Sequence, residues 1–166
     1  MRNPRLATRY AKSLLDLANE RNELEEVNKD ILFLQSLCNQ SREVVTLLRS
    51  PVITPDKKLA VLNALTKGRI NESTNAFIRL LVTKAREESL PEIITAFISQ
   101  YKKQKNIHVI KLTTAMPASD ELKKQIIDKV QSQTKMKHIE LKEEVREDII
   151  GGFLLELGDT LVDASI

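Results

Sequence analysis

The sequence predicts an α+β protein that is mostly α. An antiparallel bundle of six helices spans residues 1–104, and a small α+β domain with a mixed sheet follows over residues 105–166. Three observations lead there. Apolar residues recur at helical spacing through the first two thirds of the chain. β-branched residues begin to alternate after Asn106. Only four glycines and no tryptophan occur in 166 residues, which suits long helices better than many turns.

Leu6, Ala7, Tyr10, Ala11, Leu14, Leu17 and Ala18 recur at spacings of three and four, so the first helix begins almost at the first residue. Leu24, Val27, Ile31, Leu34 and Cys38 mark one face of the second. A short third helix carries Val44, Val45, Leu47 and Leu48 and stops before Ser50-Pro51, because a residue preceding proline avoids the helical region. Thr54-Pro55 reads as an N-cap followed by proline at the first helical position. The fourth helix then runs through Leu59, Leu62 and Leu65 to Gly68. Asn71 or Ser73 caps the fifth, which holds Phe77, Ile78, Leu80, Leu81 and Val82. Ser89 is expected to cap the sixth, with Ile94, Phe97, Ile98 and Tyr101 on its buried side.

The period then changes. Ile107 to Thr114 reads as a strand, Leu122, Ile126, Ile127 and Val130 as a helix, and His138 to Lys142 as a half-buried strand. Phe153–Leu157 and Thr160–Val162 form a hairpin around the two-residue turn Gly158-Asp159. The boundary between the halves falls in Lys102-Lys103-Gln104-Lys105.

The charges narrow the function. Lys+Arg number 26 against 23 Asp+Glu, a formal net charge of +3, with no one-signed run that would mark a dedicated polyanion binder. The first 104 residues hold 17 basic and 12 acidic side chains, and the remainder 9 and 11, so the halves suit two different partners. A single cysteine excludes an internal disulfide framework and fits a reducing compartment. No apolar stretch approaches the roughly 20 residues that span a bilayer. Arg2, Arg5 and Arg9 give the N-terminus a faint likeness to a transit peptide. The helical stripe starting there argues for folded structure instead, and no secretory h-region follows.

Enzymatic chemistry finds no constellation. Gly151-Gly152 lacks both a Walker lysine and a GxGxxG frame, so a backbone role is expected. Cys38, His108 and His138 are too few for a zinc site; the histidines read as ordinary strand residues and Cys38 as a small buried hydrophobe. Asp159 suits a turn and Asp163 the polar end of a strand rather than an acid–base pair. No metal or cofactor is expected. A helical RNA-binding or adaptor protein is the competing reading. Only six aromatic residues occur, however, and Glu20, Glu23, Glu25 and Glu26 interrupt the cations, so stacking platforms and a basic stripe are both missing.

Several stretches carry a family likeness. They are Ala7-Thr8-Arg9-Tyr10-Ala11-Lys12-Ser13-Leu14 at the start, then Asn75-Ala76-Phe77-Ile78-Arg79-Leu80-Leu81 and Leu90-Pro91-Glu92-Ile93. Val145-Arg146-Glu147-Asp148-Ile149-Ile150-Gly151-Gly152-Phe153 follows, with Gly158-Asp159 and Val162-Asp163-Ala164-Ser165 after it. In this order the sequence resembles the δ subunits of F-type ATP synthases, the oligomycin-sensitivity-conferring protein of mitochondria. Arg146-Glu147 departs from the Asp-containing turn often found there, and relatives usually continue past the position of Ile166 into a short basic helix.

The resemblance implies a non-catalytic stator subunit joining the catalytic head to the peripheral stalk, so that proton flow is coupled to ATP synthesis. It implies that the helical domain binds an N-terminal helix of the α subunits and that the C-terminal domain meets the b subunits. The location implied is peripheral, on the cytoplasmic face of the bacterial cell membrane, touching the membrane only through the complex and binding no nucleic acid. By the same resemblance the first and fifth helices form a groove for the α-subunit helix, with Tyr10, Ala11, Leu14, Phe77, Leu80, Leu81 and Lys84 as members. The apolar arc of the fifth helix, with Ile78 and Val82 beside that set, is broader than one core-facing stripe requires. Gly151, Gly152, Gly158, Asp159 and Asp163 form the structural signature of the C-terminal domain.

Overall fold

The computed structural model describes residues 3–133, 138–149, 152–157 and 160–163. These residues fold into two compact units, Met1–Tyr101 and Lys102–Ile166, the division falling in the last turn of a helix. The first unit is helical: α1 (Pro4–Glu20), α2 (Leu24–Gln40), α3 (Arg42–Arg49), α4 (Pro55–Thr66), α5 (Glu72–Thr83), and α6 (Leu90–Gln104), which continues into the second. One core unites them. Ala7, Ala11, Leu14 and Ala18 of α1 meet Val27, Ile31 and Leu34 of α2, Leu48 of α3 and Leu62 of α4. Phe77, Ile78 and Leu81 of α5 and Ile93, Ile94 and Phe97 of α6 complete it. Alanines along α1 let neighbouring helices approach closely, while the larger side chains fill the centre.

Local chemistry sets the helix ends. Asn3 caps α1 by accepting from the Leu6 N–H at 3.2 Å, with Pro4 in the first turn. Thr54 occupies the N-cap position of α4, but its side chain makes no capping hydrogen bond. Asn71 caps α5 through the Ser73 N–H. Ser89, expected to cap the sixth helix, instead ends a 3₁₀ turn, Glu87–Ser89, which runs directly into α6. The helix thereby starts a turn of chain with Leu90 and Ile93 already buried, while Ile98 and Tyr101 pack only at the margin of the core. In α4 the inward row is Lys58, Leu62 and Thr66, at i, i+4 and i+8, and Leu65 is partly exposed.

The second unit contains β1 (Ile107–Thr114), α7 (Asp120–Gln133), β2 (His138–Val145), β3 (Phe153–Leu157) and β4 (Thr160–Asp163). The sheet order is β2-β1-β3-β4. β1 runs parallel to β2, with α7 as the crossover between them, and antiparallel to β3; β3 and β4 form a hairpin. Leu112 sits opposite Glu143 on one side and Leu155 on the other, which makes β1 an interior strand of the sheet, as β3 is. Ile110, Leu112 and Ile126 are the buried apolar side chains of this unit among the described residues.

Candidate functional site

The face shared by α1 and α5 is built from both ends of α5. At its start, Asp30 of α2 accepts hydrogen bonds from the Asn71 N–H at 2.8 Å and the Thr74 hydroxyl at 2.7 Å. The Ser73 hydroxyl donates to Glu23 at 2.6 Å and accepts from Arg21 at 3.1 Å. Carboxylates at a helix N-terminus satisfy donors that lack helical partners and complement the helix dipole.

The C-terminal end of α5 is fixed by backbone geometry. The Arg86 N–H donates to the Leu81 carbonyl at 2.8 Å, and Ala85 takes a left-handed φ of 54°. That is the Schellman arrangement, here without glycine. The next residue is anchored as well: Glu87 pairs with Lys58 at 2.8 Å, and the Lys58 ammonium also donates to the Leu48 carbonyl at the end of α3. Arg86 therefore stands between two tethered neighbours.

Across from it, the Tyr10 ring meets Phe77 edge-on, with centroids 6.4 Å apart and planes at 65°. Leu6, Arg9, Tyr10 and Ser13 of α1 and Arg86 line a recess of about 360 Å³. Four candidate side chains lie in the bundle interior: Ala11 at 0 %, Leu14 at 1 %, Phe77 at 6 % and Leu81 at 1 % exposure. They support the face from below. Tyr10 is half-buried, while Leu80, at 44 %, and Lys84 are exposed, so surface for direct contact comes from these three.

The recess adds Leu6, Arg9, Ser13 and Arg86, none of which the sequence reading assigned to the site. The α1 members follow the helical series i, i+3, i+4 and i+7, a signal available in the sequence. Arg86 carried none, because its placement depends on a left-handed alanine. A second groove of about 610 Å³ runs between α1 and α6 past Ala7, Thr8, Thr95 and Ala96. Its charged members, Arg49 and Glu92, pair with each other at 2.9 Å.

In the second unit, Gly152 is exposed with φ 69°, and Asp163 ends β4 opposite Leu154. Gly151, Gly158 and Asp159 lie outside the described residues, as do Ile150, Ala164 and Ser165. Glu143 ties β2 to the loop before α7: it accepts from the Ala118 N–H at 2.8 Å and pairs with Lys123 at 2.7 Å. The Lys123 bond, followed by the Ala118 bond, holds the Glu143 carboxyl below the usual carboxylate range. Glu144 is lowered likewise by Lys111. Burial pushes the half-buried Cys38 thiol up, against a smaller pull from Arg49, so it is a poor nucleophile. Among the described residues no three His, Cys, Asp or Glu side chains gather as a metal site, and no helix is long and apolar enough to cross a membrane.

Residues 6–166 match the family described as ATP synthase delta (OSCP) subunit. The sequence is 35 % identical over 166 residues to the ATP synthase subunit delta of Cytophaga hutchinsonii, covering 100 % of this chain and 90 % of that protein. It is 36 % identical to that of Chlorobaculum parvum, covering 95 % and 87 %. The chloroplastic subunit delta of Emiliania huxleyi is 34 % identical, with 98 % and 90 % covered. The fold matches a chain in the cryo-EM structure of the Toxoplasma gondii mitochondrial ATP synthase hexamer with a TM-score of 0.77 and 25 % identity, over 97 % of this chain and 91 % of that one.

Proposed function

This chain belongs to the ATP synthase delta (OSCP) subunit family, and from that premise we propose which part of the enzyme each half meets. The protein is a non-catalytic stator subunit of the F-type ATP synthase, linking the catalytic head to the peripheral stalk. It acts mechanically, resisting rotation of the head so that proton flow drives ATP synthesis. It is associated with the membrane complex peripherally, and we place it on the cytoplasmic face.

Residues 1–104 bind the head through an N-terminal helix of the α subunits, and residues 105–166 meet the b subunits of the stalk. The observation that carries the first assignment is the α1–α5 face. It presents the exposed Leu80 of α5 and, on α1, a recess edged by the half-buried Tyr10 ring, which packs edge-on against the buried Phe77. An amphipathic helix needs such a strip of apolar surface with polar margins. Capture of partners from a cell extract tests the reading: the chain should retrieve α and b subunits. Retrieval of RNA instead, with steep salt dependence, supports the helical RNA-binder.

A further inference from the structure

We propose that Arg9 and Arg86 form a receptor for a carboxylate, which takes an acidic side chain of the helix docked on the α1–α5 face. The inference rests on the reading that this face receives the α-subunit helix and adds the chemistry by which that helix is placed in register.

Both arginines line the same recess, and both side chains are exposed. Neither guanidinium makes an ion pair or hydrogen bond with any described residue. Two other cations of the bundle are committed elsewhere: Lys58 is sealed against Glu87 and the Leu48 carbonyl, and Arg49 holds Glu92. Two free guanidiniums on one recess repel each other until an anion arrives, and each can offer a planar fork of N–H donors to a carboxylate.

The remaining lining fits a carboxylate on an apolar stem. Leu6 and the Tyr10 ring supply apolar wall. The Ser13 hydroxyl already donates to the Arg9 carbonyl at 3.0 Å, which leaves donation into the recess to the two guanidiniums and the Tyr10 hydroxyl. Arg86 is also set in place beforehand, between the left-handed Ala85 that closes α5 and the buried Glu87. An anchored backbone on either side reduces the ordering cost of binding. The excess of basic side chains in the first 104 residues draws the same acidic partner.

The test uses the full chain and a labelled synthetic peptide of the α-subunit N-terminal segment from the same source, with affinity read by fluorescence anisotropy. Arg9→Gln and Arg86→Gln should each weaken binding by about tenfold, as expected when a charged partner loses its pair. The double variant should flatten the salt dependence, and melting temperature should not move, because both side chains are exposed. Changing the peptide's acidic residues to amides one at a time should expose one that matters against the wild-type chain but not against the double variant. Unchanged affinity in the double variant, or no acidic position that couples to it, overturns the receptor. Tyr10→Ala and Leu80→Asp separate the two claims. If they weaken binding while the arginine variants do not, the receptor falls and the docking face stands; if the wild-type chain ignores the peptide, both fall.

Discussion

Lys58 and Glu87 keep only 7 % and 10 % of their side-chain surface in contact with water, and their atoms meet at 2.8 Å. A buried pair adds little beyond its desolvation cost, yet removing one partner strands the other's charge. Here the stranded group is already short of partners, since the second Glu87 oxygen, Oε2, is buried and accepts no hydrogen bond from the described residues. Lys58→Met should therefore cost about 3–5 kcal/mol in urea unfolding followed by helical circular dichroism. Adding Glu87→Leu should recover most of that loss, because the orphaned charge is then gone. In the sequence both residues pass for solvated surface charges. The i+4 spacing from Lys58 to Leu62 hinted at an inward position, but nothing local marked Glu87 as its partner. Glu143 tests the second unit. Its folded carboxyl titrates below the usual 4.5, so its contribution is full above that pH and is lost as pH falls through the lowered value. Lys123 is raised above 10.5, so its share is full below that pH and is lost as pH rises through the raised value. Carboxyl NMR should show a depressed Glu143 midpoint that returns toward 4.5 in Lys123→Met.

At the level of elements, three helices among the described residues end on a residue with a side chain in the left-handed region: Asn22 after α1, Ala85 after α5 and Asn106 after α6. The sequence advertised such an ending only at Gly68, which has φ 71°. Asparagine visits this region with modest strain, but alanine gains nothing local from it. Left-handed backbone costs a residue with a Cβ roughly 1–2 kcal/mol, while glycine loosens the unfolded chain by about 0.4–1 kcal/mol. Ala85→Gly should thus stabilise by about 0.5–1 kcal/mol in urea melts. Gly68→Ala should destabilise by a similar amount, and for backbone reasons alone, because a Cβ there meets nothing within 4 Å. Helix positions were legible because apolar periodicity over three or four turns outweighs local exceptions. The 3₁₀ turn before α6 was not, because Ser89 looks like a cap in one dimension and its role depends on where Glu87 finds its partner.

For the whole molecule, the switch from helical to alternating period made the two architectures legible, and the parallel pairing of β1 with β2 followed from the helix between them. The proposed docking face was legible only in part. Periodicity found Phe77 and Leu81 without showing that they are sealed inside, and it could not bring Arg86 to Arg9 across most of the bundle's sequence. The division of labour is open to a direct check by expressing residues 1–104 and 105–166 separately. The first fragment should fold, since it holds its own core, and bind the catalytic head; the second should bind the stalk. A helical fragment that is unfolded, or that prefers the stalk, reverses the assignment of partners.

The interior place of β1 also sets a timetable. Many contacts in the helical unit join helices close in sequence, such as α1 with α2, α2 with α3 and α4 with α5, a topology that folds fast. β1 must wait for β2 and then for β3, whose register pairs Leu112 with Leu155. Refolding should accordingly show a fast helical phase followed by a slower sheet phase. On the ribosome the delay is vectorial. β1 emerges well before its antiparallel neighbour, and until Phe153–Leu157 arrives one row of its amides and carbonyls is open to any passing strand. The nascent chain is thus most vulnerable to misassociation in the interval after the helical unit has folded and before β3 has emerged.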